Sequence, residues 1–94
     1  NEDFLIYKKD KIIGIFSLII KKLDIIVSNL IFKNEKTALL YNQIICMYLE
    51  HYVYRKYNPC VLTTKIKNNF FQQYPYENGY YKKRLEKSTK EIKN

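Results

Sequence analysis

Apolar residues recur through positions 35–57 at steps of three and four. Leu40, Ile44, Met47 and Tyr48 form one stripe, and Tyr41, Ile45, Leu49 and Tyr52 widen it. That is the spacing of an amphipathic helix. Asn34 stands just before the run, where its side-chain oxygen can accept a first-turn N–H; Glu35 follows, a carboxylate at the positive end of the helix dipole. No glycine or proline interrupts the run until Asn58-Pro59. Proline disfavours helical geometry in the residue before it, so the helix is expected to stop there. The same dipeptide suits the N-cap and first position of a second helix through Val61, Leu62 and Ile66. Glu35 to about Asn69 therefore predicts a helical hairpin too small to bury its own stripe.

Upstream, Ile12, Ile15, Phe16, Ile19, Leu23, Ile26 and Leu30 also fall at steps of three and four, and Ile13, Ile20, Val27 and Ile31 thicken that face. The polar breaks at Lys21-Lys22-Asp24 and Ser28-Asn29 recur with helical spacing, so residues 12–32 are read as a long helix. Isoleucine has only middling helix propensity, which leaves a strand over residues 12–20 open. Phe4-Leu5-Ile6-Tyr7 suits a short helix or one strand, and a helix is taken. Residues 70–81 are aromatic, with turns at Pro75 and Asn78-Gly79, and are expected to pack irregularly over the helices. A last, basic helix is expected from Tyr80 to about Lys93.

The expected fold is one all-α domain over the 94 residues. Hydrophobic residues make up 47%, normal for a folded chain, while 2 glycines and 2 prolines are few for the turns of a sandwich or barrel. A lone domain of this size buries a modest share of its surface, so self-association or a partner is expected. The apolar run from Ile12 ends at Lys21-Lys22, short of the roughly 20 residues a bilayer-spanning helix needs, so no transmembrane segment is expected. Formal net charge is +8, much of it after Tyr81 on Lys82, Lys83, Arg84, Lys87, Lys90 and Lys93. Such a tail suits nucleic acid, an acidic membrane leaflet or an acidic partner. Tyrosines among Arg55, Lys56, Lys65 and Lys67 suit single-stranded nucleic acid by stacking, although most of them sit at core spacing.

Little in the sequence points to catalysis. His51 is the only histidine, and neighbouring Glu50 does not face it on a helix. Cys46 and Cys60 have no metal-ligand spacing and read as buried free thiols in a reducing compartment. Two glycines cannot build a phosphate cradle. No enzymatic activity, cofactor or metal is expected. One enzyme reading is weighed: residues 4–20 as a hairpin turning at Lys9-Asp10, as in the GNAT-type acetyltransferase fold, which binds acetyl-CoA through a Gly-rich loop opening a helix. The corresponding loop here, Lys33-Asn34-Glu35-Lys36, has no glycine, and the chain is short for that fold. The reading is set aside.

Residues 39–65 resemble a LisH (lissencephaly-homology) motif through Leu40, Ile44, Ile45, Tyr48, Leu49, Tyr57, Val61 and Leu62. Residues 14–31, with Gly14, Leu23, Val27, Asn29 and Ile31, resemble the N-terminal helix of FOP-related centrosomal proteins, and Arg84-Leu85-Glu86 resembles their third element. The resemblance implies a helical homodimer whose hairpins pack into a shared bundle. It implies a non-enzymatic scaffold role at a centriole, basal body or microtubule-organising centre, in the cytoplasm and cytoskeleton, with other centrosomal proteins as partners. The dimer interface it assigns is Leu23, Val27, Leu40, Ile44, Ile45, Tyr48, Leu49, Tyr52, Val61 and Leu62.

Overall fold

A computed structural model describes residues 1–87. Three strands open the chain, β1 (Glu2–Lys8), β2 (Lys11–Lys21) and β3 (Asp24–Phe32). One long helix follows, α1 (Glu35–Tyr57), then β4 (Cys60–Thr64), a 3-10 turn at Phe71–Gln73, and the hairpin β5 (Tyr76–Glu77) and β6 (Tyr80–Leu85). The strands form one sheet in the order β1-β2-β3-β4-β6-β5. Among the described residues, only β3 and β4 are parallel, and α1 is the crossover between them; the other pairings are antiparallel.

The all-α expectation is therefore overturned. Residues 12–32 form a β-hairpin instead of a helix. Residues 60–64, expected as a second helix, form a strand, and Tyr80–Leu85 is a strand where a basic helix was expected. The rest of that expected helix lies outside the described residues. Phe4-Leu5-Ile6-Tyr7 lies in β1, so the helix taken there is overturned too.

Both faces of the β2–β3 hairpin are apolar, which is why its alternation is masked. Phe16, Leu18, Ile25 and Val27 are buried beneath α1. Ile15 and Ile31, paired in register, point away from α1 and remain exposed. The turn between the strands is also disguised. It has no glycine, and Lys22 takes the positive φ of 53° that glycine usually supplies. Isoleucine and valine suit the pleated surface these strands make.

The helix begins where its capping chemistry says it should. The Asn34 side chain accepts the Thr37 N–H at 2.8 Å, and the last helical residue is Tyr57, just before Asn58-Pro59. Its buried side is the flank with Cys46, Leu49 and Val53, each fully buried against the sheet, with Tyr41, Ile45 and Tyr52 partly covered. The stripe at Leu40, Ile44, Met47 and Tyr48 faces solvent, at 54–65% exposure. The helix is apolar on both sides, so periodicity alone could not say which flank meets the core.

Residues 70–74 pack back over the helix, but Tyr76–Glu77 and Tyr80–Tyr81, expected to be irregular, pair as strands. Phe71 is fully buried, edge-on to Phe70 and Tyr74. Asn78 and Gly79 both hold positive φ, 51° and 87°, in the tight turn joining β5 to β6. Among the described residues, no helix is long and apolar enough to cross a membrane.

Candidate functional site: a cleft where two parallel strands part

The parallel ladder is short. It runs from the Asp24–Val61 pair to the Val27–Thr64 pair and stops. Thr64 ends it with its side chain: Oγ1 donates to the Val27 carbonyl at 2.9 Å and accepts the Ile66 N–H at 3.0 Å. β3 then continues to Phe32 paired with β2 alone. Among the described residues, the side of Ser28–Phe32 that β4 leaves has no strand beside it.

Asn68 holds the departing chain on the helix side. Its Oδ1 accepts the Phe70 and Phe71 N–H groups at 3.0 and 2.8 Å. Its amide nitrogen donates to Asn42 Oδ1 at 3.4 Å and lies 3.6 Å from Cys46 Sγ. The result is a cleft of about 420 Å³, lined by Ile19, Ile26, Val27, Ser28, Lys65, Ile66 and Tyr80. The Lys65 ammonium sits over the Tyr80 ring, 5.0 Å from its centroid.

Ile19 and Ile26 line this cleft from the sheet face away from α1, no residue of 33–38 is in its lining, and it opens at the carboxyl ends of the parallel pair. In open α/β sheets that is where ligands bind. The Asn34 cap takes the Thr37 N–H, and Ala38 N–H reaches the Asn34 carbonyl at 3.1 Å. The amides of Glu35 and Lys36 have no acceptor among the described residues. Around them the topology gathers Lys8, Lys9 and Lys11 from the β1–β2 turn, Lys33 and Lys36 from the helix start, and Lys65 and Lys67 after β4. Lys33 is tied to β2 by its N–H to the Ile13 carbonyl at 2.9 Å, and the Lys8 ammonium lies over Tyr41. Asp10, Glu35 and Glu77 are the carboxylates on the same edge, and Glu77 pairs with Tyr80 of the cleft lining. At the opposite edge, Lys21, Lys22, Arg55, Lys56 and Arg84 are interspersed with Glu2, Asp24 and Glu86. Both edges are therefore net basic.

A second hollow, of about 900 Å³, lies at the far edge between α1 and β6. Its floor is a network centred on Glu50. The carboxylate accepts from Tyr74 OH at 2.6 Å and from the Lys83 ammonium at 3.2 Å. Burial, reinforced by this bond to Glu50, pushes the Tyr74 phenol up, so it stays neutral. Exposed His51 lies on the rim. The two thiols are inert: burial pushes Cys46 up to about 11, and burial also raises Cys60. Among the described residues, no His, Cys, Asp or Glu cluster could hold a metal ion.

The residues assigned to a dimer interface do not share one surface. Val27, Leu49 and Leu62 are fully buried within the chain's own core. Ile45 and Tyr52 are partly covered by the sheet, and Val61 is half-buried in β4. Leu23 is exposed at the β2–β3 turn, while Leu40, Ile44 and Tyr48 are exposed on the outer face of α1. Sequence reasoning missed the cleft, because it depends on two strands separated by a whole helix. The local signal was the pair Thr63-Thr64 ahead of Lys65, which reads as a strand end once β4 is known. Comparison with protein-family models finds no match for this chain, and comparisons with curated proteins and with solved structures find none either.

Proposed function

We propose that the chain is a cofactor-binding domain of the acetyltransferase type, which takes an acyl-CoA or a related thioester. The phosphates would lie over the lysine-rich edge, and the amide-bearing arm would lie along the free side of β3. The reaction such a domain serves moves an acyl carbon from sulfur to an acceptor amine. The observation that carries this reading is the parting of β3 and β4 after Val27 and Thr64. It leaves the β3 backbone from Ser28 onward without a strand partner, beside a cleft at the carboxyl ends of the pair, and an extended amide-containing ligand can pair with that backbone as a strand would.

Three further features support it. The β1–β2 hairpin turns at Lys9-Asp10, and the loop from Lys33 to Lys36 opens α1, the arrangement weighed for this fold from the sequence. The surrounding lysines favour a polyanionic ligand. The glycines of the acetyl-CoA loop are absent. The donors present are the Glu35 and Lys36 amides with the Lys33 and Lys36 ammonium groups. The centriolar scaffold reading rested on a helical hairpin. With β4 in place of its second helix, no observation favours it over this one.

Calorimetric titration with CoA and acetyl-CoA tests the proposal. The expected result is binding in the range of about 1–100 µM that weakens steeply with added salt. Replacing Ser28 by Trp, which fills the cleft, should abolish it, and Lys33→Gln with Lys36→Gln should weaken it by about tenfold. No binding of either ligand at about 1 mM would overturn the reading. Binding of a single-stranded oligonucleotide in their place would favour the nucleic-acid alternative, which draws on the same lysines.

A further inference from the structure

β1 is the last strand on its side of the sheet. Its outer side therefore presents backbone N–H and C=O groups with no strand to pair them among the described residues. Natural edges of this kind are usually blunted by proline, by a central charge or by a cover. The middle of β1, Phe4-Leu5-Ile6, has no proline or charge, and the irregularity of its ladder at Ile6/Tyr7 places the extra residue, Ile13, on β2 and not on the outer strand. Above it, Ile45 and Tyr48 of α1 join Phe4, Leu5, Ile6 and Tyr7 around a hollow of about 280 Å³. Leu5, Tyr7 and Tyr48 are each more than half exposed.

We propose that this edge pairs with the same edge of a second copy of the chain, antiparallel about a two-fold axis at Leu5, joining two six-stranded sheets into one. The register follows from charge. Centred on Leu5, the pairing sets Leu5 opposite the partner's Leu5, Phe4 opposite the partner's Ile6, Glu2 opposite the partner's Lys8, and Asp3 opposite the partner's Tyr7, whose hydroxyl can donate to it. Centring on Phe4 instead sets Glu2 against Ile6, and centring on Ile6 sets Lys8 against Phe4. Either one places a charge on an apolar side chain, which cross-strand pairing disfavours. Glu2 already accepts from Lys56 at 2.5 Å and from Tyr52 at 3.1 Å. A carboxylate has room for a further donor.

The interface is isologous, as a closed two-fold dimer requires. It also has a consequence on the face away from α1. There Leu5, Ile15 and Ile31 stand side by side across three strands, all exposed. Pairing at Leu5 joins this row to its copy and buries the inner end of each.

Sedimentation of the full chain, with charge variants at Leu5, tests the pairing. The wild-type chain is expected to be a dimer at about 100 µM. Leu5→Lys and Leu5→Glu each set like charges directly opposite, so each alone should weaken the dimer by about tenfold or more while the circular dichroism stays unchanged. Mixing the two variants should restore a dimer. A monomeric wild-type chain, a dimer that survives both substitutions, or a mixture that stays monomeric would each overturn the proposal. So would a dimer lost with Ile44→Lys but kept with Leu5→Lys, which would place the interface on the outer face of α1.

Discussion

Leu49→Glu is expected to leave the chain unfolded, while Leu40→Glu, nine residues earlier on the same helix, is expected to change stability by no more than about 0.5 kcal/mol. Leu49 is fully buried between α1 and the sheet, and Leu40 is 65% exposed. A carboxylate at position 49 would have no cation or donor beside it, at a cost of several kcal/mol. A domain of this size has roughly 5–15 kcal/mol to lose, and small ones sit at the low end. At position 40 a carboxylate stands in water, in the second turn from the positive end of the helix dipole. A helical hairpin gives a different answer, because there Leu40 and Ile44 lie in the interface and Leu40→Glu is as damaging as Leu49→Glu. Thermal melts of the two variants separate the cases.

Phe71→Ala is expected to cost about 3–5 kcal/mol, the range for deleting a fully buried aromatic ring. Phe71 is the largest fully buried side chain in the described residues. It packs edge-on to Phe70 and Tyr74 at centroid separations of 5.6 Å, and Tyr74 carries the bond to Glu50. Losing the ring therefore also loosens the seat of the Glu50 network. Phe70→Ala should cost clearly less, since Phe70 is only partly buried. Chemical denaturation measured on both variants checks the order. Equal losses would mean that the 3-10 turn is not anchored by Phe71.

The parts of the fold that were legible in the sequence are those fixed by local chemistry. Asn34 caps α1 because a short side-chain oxygen can reach an N–H three residues on, and Asn58-Pro59 ends it because proline restricts the residue before it. Asn78-Gly79 marks a turn for a similarly local reason, as positive φ is cheap there. The parts that were not legible are set by tertiary structure. β2 and β3 are apolar on both faces, so their alternation is hidden and the residual spacing mimics a helix. Their connecting turn carries Lys22 where a glycine would have announced it. Cys60–Thr64 follows a dipeptide that suits a helix start, but Val61, Thr63 and Thr64 are β-branched and the run is only strand-long. The cleft could not be read without the strands that make it. Lys65 and Lys67 were visible as cations among tyrosines, but nothing in the sequence placed them at a strand end.

The parallel pairing of β3 with β4, and its end after Thr64, underlies both the fold and the proposed cofactor site. Nuclear Overhauser contacts in solution test it most directly. The structure predicts inter-strand backbone contacts linking Asp24–Val27 to Val61–Thr64, and none joining Ser28–Phe32 to the chain beyond Thr64. Helical chemical shifts through residues 12–32 and 60–66, with no contacts between those two segments, would contradict the mixed sheet and the cleft together.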